Sequence, residues 1–486
     1  MAWPDARDRP VSRTATTLAT MTGTTGCHQA YRFALDPTRK QRRGLAAHCG
    51  AARFAFNWGL EQVRASVALR EFELCMFGEL RTEPLGWSLP ALRREWNRNK
   101  DVVAPWWPEH SKEAYSSGLA ALAAGLRAWR ASRSGQRAGA AAGFPRFRKR
   151  GRHDSCRFTT GAIRVDDARH VTLPHLGRLR TAEATGALQR RLGAGTTRIL
   201  SATISREADR WFVAFSCEVE RALMADNGHH DTVGVDLGVH TLAALSTGEL
   251  VASPRPLRRA LRRLRRLQRT VSRRRRGSAR RRRATLRLAR AHRRVGNVRR
   301  HHLHVLTTRL AQSHGRLVLE DLNVRGMSHS ARGTVERPAR NVRARAGQNR
   351  AVLDCGFAEL RRMLEYKCRW YGSTLVVADR WFPSSKRCSG CGAVRAELSR
   401  RERVFGCGSC GLRLDRDLNA ARNLSSWAEA HDVAASAAET ENARGEAAAI
   451  RLAVGERLAE ASTGTVPEPA GITTGGRHRS ALPSVR

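Results

Sequence analysis

Apolar positions change period several times along the chain, and each change marks an element. Tyr31, Phe33 and Leu35 alternate with polar neighbours, the period of a half-buried strand, and Asp36-Pro37 closes it with a turn. From Arg39 to Arg70 the spacing becomes helical, with Leu45, Cys49, Phe54, Trp58 and Leu60 apolar. Trp87 to Trp107 reads as a Trp-dotted helix and loop. Ser111 to Ser132 reads as a helix capped by Ser111 and striped by Leu119, Leu122, Leu126 and Trp129. Short alternating runs return between Cys156 and Val219, the last folding back at Ala208-Asp209 as a hairpin. A helical stretch flanked by strands predicts a strand-rich N-terminal half with a helical insert.

The second half starts after Thr232 with Val233 and Val235, then Asp236, a turn at Gly238, and a second strand through Leu242, Ala244 and Leu245. Leu257, Leu261, Leu264 and Leu267 predict one helix. Past a break at Gly277-Ser278, Leu286, Leu288, Val295, Leu303 and Leu306 predict another. A strand of Leu317, Val318 and Leu319 runs into Glu320-Asp321. A helix over AELRRMLEYKCRWY is stopped by Gly372, and Ser373 to Asp379 is a further buried strand. Residues 1–26 lack periodicity and are expected to be disordered; the tail from residue 427 is expected to be flexible, with a helical stretch around Glu446–Ser462.

Charge adds a partner to this picture. The 486 residues hold 88 Lys and Arg against 43 Asp and Glu, a net charge of +45, which points to a polyanion such as nucleic acid. Leu250 to Leu319 contains no acid, yet its apolar stripe persists through Arg273, Arg274, Arg275, Arg276 and Arg280, Arg281, Arg282, Arg283. Two basic amphipathic helices facing phosphates fit that pattern better than a disordered tract. In GFPRFRKR, Arg146, Arg148 and Lys149 interleave with Phe144 and Phe147. The segment can be a solvated loop or a surface that contacts phosphates and stacks on bases. Eleven cysteines without an export signal or a long apolar run suit a reducing cytoplasm and no membrane.

Two motifs carry chemistry. Cys388 and Cys391, then Cys407 and Cys410, form C-x2-C-x15-C-x2-C, the spacing of two knuckles around one tetrahedral Zn²⁺, with the intervening arm expected to be a hairpin. Four thiolates leave no open position, so this ion is structural and steadies the acidic segment behind it. The acids are Asp236 in a buried strand start, Glu320 at a strand end and Asp417 at a helix start. Meeting in space, they would offer hard oxygen ligands to Mg²⁺ or Mn²⁺ for phosphodiester hydrolysis. No Ser/His/Asp arrangement or phosphate-cradling P-loop competes with that reading.

The blocks GVDLGVHTLAALSTG, RLVLEDLNVRGM, DRWFPSSKRCSGCG and GLRLDRDLNAARNL resemble the successive motifs of TnpB proteins, RNA-guided nucleases of bacterial insertion sequences, and more loosely the type V CRISPR effectors. The resemblance spans roughly residues 27–426. It implies an α+β and α/β multidomain chain. A barrel-like, oligonucleotide-binding wedge domain (27–45 and 133–225) would carry a helical recognition insert (46–132). An RNase H-like RuvC nuclease domain (226–383 and 412–426, with Arg-rich helices over 255–310) would follow, interrupted by a zinc finger (384–411). It matches Asp236, Glu320 and Asp417 to the family's catalytic acids. Asp415 and Asp321 become supporting neighbours, although either could exchange with the acid beside it. It further implies a guide RNA derived from the transposon end, single- and double-stranded DNA targets, one protein per RNA, and residence at the bacterial nucleoid. Competing readings are a non-catalytic nucleic-acid-binding regulator and a transposase that joins DNA ends.

Overall fold

A computed structural model of the chain describes residues 21–431 apart from 138–139, 152–153, 225–226, 332, 334–336, 338–339 and 400–401. The stretch Glu446–Ser462, expected to include a helix, lies outside the described residues. Strand β1 (Met21–Leu35) leads into α1 (Arg39–Phe77), α2 (Leu89–Val103) and α3 (Lys112–Arg133). Then come β2 (Ser155–Phe158), β3 (Arg164–Asp167), β4 (His170–Leu173), β5 (Gly177–Arg180), α4 (Gly186–Gly193), β6 (Thr197–Glu207) and β7 (Arg210–Met224). The order β1-β7-β6-β2 makes one antiparallel sheet and β3-β4-β5 a second, the two touching at a bridge between Leu35 and Thr181.

Residues 1–20, expected to be disordered, lie outside the described residues, but β1 includes residues 21–26 of that expectation, ahead of the side-chain pattern. Residues 21–26 pair with β7 from Met224 to Glu220, because backbone pairing needs no apolar face. The long α1 runs seven residues beyond Arg70, to Phe77, where Gly78 closes it in the left-handed region. Ser111 caps α3 by accepting from the Glu113 N–H, and Leu119, Leu122 and Leu126 are buried. These helices share one core with the strands: Leu45, Leu60 and Leu122 belong with Phe158, Ile204 and Phe215. The β6–β7 hairpin turns at Ala208-Asp209 as its alternation predicts.

The second half contains β8 (Thr232–Asp236), β9 (Thr241–Leu245), β10 (Leu250–Ala252), α5 (Pro256–Ser272), α6 (Ala279–Ser313), β11 (Arg316–Glu320) and α7 (Val324–Met327). It continues with α8 (Val342–Cys355), α9 (Phe357–Tyr371), β12 (Thr374–Ala378), β13 (Val404–Gly406), β14 (Arg413–Asp415) and a helix over 416–431, here α10. Five strands form a sheet in the order β10-β9-β8-β11-β12, which is 3-2-1-4-5 in order of appearance. Strands β8, β11 and β12 are parallel, and β9 runs antiparallel to both β8 and β10. Alternate residues of the strands face opposite layers. Val233, Val235, Leu317 and Leu319 pack with Leu306 and Leu310 of α6 and Leu360 and Met363 of α9, whereas Val318 faces Leu424 and Ala428 of α10.

Helices α5 and α6 pack through Leu264, Ala291 and Val295. Since their span has no acid of its own, Asp354 of α8 supplies one. Its carboxylate accepts from the N–H groups of Leu257 and Arg258 at the N-terminus of α5, where an anion complements the helix dipole. Arg290 and Arg293 of α6 bind Asp209 at 2.7 and 3.2 Å, tying the hairpin of the first half to the second. Among the described residues, no helix is long and apolar enough to cross a membrane.

Candidate active site and cysteine knuckle

Register brings the first two acids together. Val235 is level with Leu319 on the neighbouring parallel strand, so Asp236 and Glu320 follow side by side at the carboxyl ends of β8 and β11. Adjacent strands lie about 4.8 Å apart, and the carboxyl edge of such a sheet is where ligands bind.

The third acid arrives on α10, which lies back along β8. Ser425 donates its hydroxyl to the Thr232 carbonyl at 2.7 Å, and Leu424 together with Ala421, one turn earlier, presses on Gly234. A Cβ on Gly234 would stand 1.9 Å from the Ala421 carbonyl oxygen, so glycine alone permits this contact. Four helical residues rise about 6 Å and two strand residues about 6.6 Å, so the two elements stay in step. A further turn back, Asp417 comes over the end of β8, and its Oδ2 lies 3.8 Å from the Cβ position of Gly238.

The electrostatics agree with that convergence. Burial pushes Asp236 well above the usual carboxylate range; Glu320, Asp417 and Asp415 raise it further, and Arg416 opposes them. Burial also raises Glu320, against a hydrogen bond from the Ser384 hydroxyl. Carboxylates crowded this way hold their negative charge only with a cation among them, and their oxygens suit a hard divalent ion. Arg416 and Arg403 flank Asp417 at 3.3 and 3.9 Å.

The neighbouring acids face elsewhere. Asp415 caps α10, accepting from the N–H groups of Asp417 at 2.9 Å and Leu418 at 3.1 Å. Asp321 turns to Arg361 at 2.7 Å and to Arg380, and those bonds hold its carboxyl below the usual range.

The cysteine pairs meet as their spacing predicts. The Sγ atoms of Cys388 and Cys410 are 3.6 Å apart and those of Cys391 and Cys407 3.5 Å, all four lying within 4.8 Å of one another. Sulfurs each about 2.3 Å from a tetrahedral zinc would be about 3.8 Å apart, so the cluster fits such an ion. N–H groups of Cys410 and Ser409 lower the Cys407 thiol, while the three neighbouring thiols raise that of Cys410, as expected of sulfurs crowded around one point. Among the described residues, the arm between the knuckles does not form a hairpin with itself. Arg387 bridges to Val394 around the first knuckle, and β13 pairs with β14 around the second, because each tight turn closes its own short ladder.

Residues that the sequence pattern did not single out join knuckle to acids. Asn419 accepts from the Ser389 N–H at 2.9 Å and donates to the Arg387 carbonyl at 2.7 Å. Asn423 donates to the carbonyls of Ser384 and Arg387 at 2.8 and 2.6 Å. Both are buried on α10, on the side turned away from Asp417, which shares its face with Ala421. Ser384, whose carbonyl Asn423 holds, is the residue whose hydroxyl reaches Glu320. The available signal was two asparagines four apart in a helix, a spacing that puts them on one face.

The basic candidates divide. Arg273, Arg274, Arg275, Arg276, Arg280, Arg282 and Arg283 are exposed, whereas Arg281 donates to the Val271 and Arg274 carbonyls and closes the end of α5. Arg146 and Lys149 are exposed. Arg148 packs its guanidinium 3.8 Å over the Phe56 ring, and Asn57 of α1 clamps its backbone through both amide atoms.

Comparison with known proteins places the chain. A protein of Mycobacterium tuberculosis (strain ATCC 25618 / H37Rv) named "Putative RNA-guided DNA endonuclease Rv2885c" is 41% identical over 418 residues, 83% of this chain and 87% of the relative. The IS605 OrfB family, described as "Probable transposase", matches residues 214–331. The chain belongs to this TnpB-like OrfB family. Another TnpB-like relative, "Putative RNA-guided DNA endonuclease InsQ" of Escherichia coli K12, is 30% identical over 399 residues, 82% of this chain and 91% of that protein. A Cas12f1-like TNB domain matches residues 357–424, which in this TnpB-like chain run from α9 through the knuckles into α10. A helix-turn-helix domain matches residues 24–70, here occupied by β1 and the unbroken first part of α1. Among solved structures, Cas12f1 in complex with sgRNA and target DNA aligns over 82% of this chain and 99% of its own, with 13% identity and a TM-score of 0.43.

Proposed function

We propose that this TnpB-like chain is an RNA-guided, divalent-metal-dependent DNA endonuclease of an insertion sequence. Asp236, Glu320 and Asp417 hold Mg²⁺ or Mn²⁺ in a RuvC-type site. The observation that carries the reading is the meeting of those acids at the carboxyl edge of a 3-2-1-4-5 sheet. A pair of such ions, bound there, supplies an activated water and stabilises the leaving oxygen of a phosphodiester. The protein's own contribution is placement: β8 and β11 fix two carboxylates, α10 aims the third, and Arg403 and Arg416 limit the negative charge around Asp417.

Zn²⁺ in the Cys388, Cys391, Cys407 and Cys410 cluster is structural and keeps α10 in register. The N-terminal strands act as the wedge and α1–α3 as the recognition insert, while exposed arginines of α5 and α6 follow nucleic-acid backbone. Guide RNA from the transposon end supplies the sequence by base pairing, and a single chain on its RNA works in the bacterial cytoplasm.

The test uses the full chain purified with the RNA of its native locus. With Mg²⁺ it should cut duplex DNA matching that RNA, and Asp236→Ala should abolish cutting while RNA binding survives. Persistent cutting by the Asp236→Ala protein refutes the acid assignment, and joined rather than cleaved strands would mark a transposase.

A further inference from the structure

An aromatic side chain stands beside the candidate site with nothing packed over it. Trp381 is 85% exposed, against 55% for Phe72, the next most exposed aromatic ring among the described residues. Leaving a large indole in water forgoes burial that folding ordinarily secures. Trp381 is nevertheless held firmly. Its backbone N–H donates to Asp379 Oδ1 at 2.7 Å, the Phe382 backbone N–H donates to the Asp379 carbonyl, and the Phe382 ring packs against Trp427 of α10.

Its neighbours locate it. Ala378, three residues earlier, is level with Glu320 on the adjacent strand. The preceding Arg380 binds Asp321, and Ser384, three residues later, binds Glu320. A fixed backbone thus presents a free indole face at the rim of the carboxylate cluster.

We infer that Trp381 is a base-stacking platform that takes one unpaired nucleobase of the DNA strand being cut and so positions its phosphate at Asp236, Glu320 and Asp417. A free ring face suits an unpaired base, since bases inside a duplex already cover one another and offer only edges. Every base has such a face, so the contact holds single-stranded DNA without reading its sequence. The inference rests on the nuclease reading and deepens it. Trp381 is a positioning residue in this scheme, since it acts on the base rather than on the reacting phosphate.

The experiment uses the full chain with its native RNA and a matching duplex. Trp381→Ala should slow cutting by roughly 5- to 150-fold, the range that loss of one base–aromatic stack gives. Trp381→Tyr should recover most of the rate, and Trp381→Leu, equally apolar but without a ring, should not. Single abasic sites walked along the cut strand should reveal one position where the wild type loses a similar factor and Trp381→Ala loses nothing more. Equal rates for Leu and Tyr variants, or the same abasic penalty with and without Trp381, overturn the inference. A parallel arm needs no cutting: a single-stranded deoxyoligonucleotide in Ca²⁺ should quench indole fluorescence in the wild type by more than in Trp381→Phe. Wild type that fails to cut but shows this excess quench refutes the nuclease reading alone. Wild type that cuts without it refutes the platform alone.

Discussion

Gly234→Ala tests the contact that sets Asp417 over Asp236. The added Cβ would lie 1.9 Å from the Ala421 carbonyl oxygen, 2.7 Å from the Ser425 nitrogen and 2.9 Å from the Leu424 Cβ. Two of these are backbone atoms of α10, so no side chain can swing aside. Unbonded heavy atoms settle about 3.5 Å apart, so α10 must retreat by roughly 1 Å or more. Such overpacking costs about 1–3 kcal/mol of stability. The larger effect is geometric, because Asp236 stays on β8 while Asp417 leaves with α10. A displacement of about 1 Å in a reacting group costs roughly 100-fold in rate. Cutting should therefore fall by about two orders of magnitude while RNA binding and zinc content remain, since neither depends on that separation. Gly296→Ala is the matched control: nothing lies within 4 Å of its Cβ position in the middle of α6. There alanine should be neutral or stabilise by up to about 1 kcal/mol, with cutting unchanged. Single-turnover cutting and thermal unfolding of both proteins decide the matter. A Gly234→Ala protein that cuts at the wild-type rate would refute the account of how the third acid is placed.

Two further perturbations follow from the same structure. Replacing Asn419 and Asn423 together by alanine removes the donors to the Arg387 and Ser384 carbonyls. Each buried group left unpaired costs about 1–3 kcal/mol. The double variant should keep its zinc, measured by elemental analysis, yet lose most cutting; undiminished cutting would show that the finger does not position α10. Lys367, buried, donates to the His304 carbonyl at 2.7 Å, to Thr307 Oγ1 at 2.8 Å and to Thr308 Oγ1 at 2.6 Å, and burial pulls its ammonium from 10.5 down to about 8. Between those pH values the unfolded chain holds a proton that the folded chain has lost, so stability should rise with pH across that window, by roughly 3 kcal/mol in all. Lys367→Met should remove this rise in denaturant titrations; identical slopes for both proteins would refute it.

Much of the candidate site was legible because its chemistry is local in sequence. Cys388, Cys391, Cys407 and Cys410 announce themselves by spacing, and their sulfurs do lie together. Asp236 and Glu320 each end a short apolar run, and both runs are strands. What could not be read is whatever depends on distant partners. Nothing in Val233-Gly234-Val235 says that its glycine receives α10, because the contact joins residues nearly two hundred positions apart. The cap on α5 was hidden for the same reason, since Asp354 lies 97 positions beyond Leu257. The start of β1 escaped because strand pairing is a backbone property, and the strand continues to Met21 without an apolar stripe. The N-terminal strands were legible one by one, but their division into two sheets joined at Leu35 and Thr181 was not.

The position of the cysteine cluster explains how a closed metal site can bear on a distant reaction. Strand β12 ends at Ala378 beside Glu320, and α10 must return to lay Asp417 near Asp236, the neighbour of Glu320. Among the described residues, the intervening segment contains only the short strands β13 and β14 as regular structure, and a long loop held only at its ends would let α10 slide along β8. Sliding by one turn carries Asp417 about 5 Å from the other acids. Four thiolates gathered on one ion would turn that segment into a rigid spacer, and Asn419 and Asn423 join it to the helix. Ser384 then connects its near end to Glu320. Geometry therefore passes from sulfur to carboxylate through a handful of hydrogen bonds. On the proposed nuclease reading, an ion in the cluster would thus govern phosphodiester chemistry while leaving no coordination position for water or substrate.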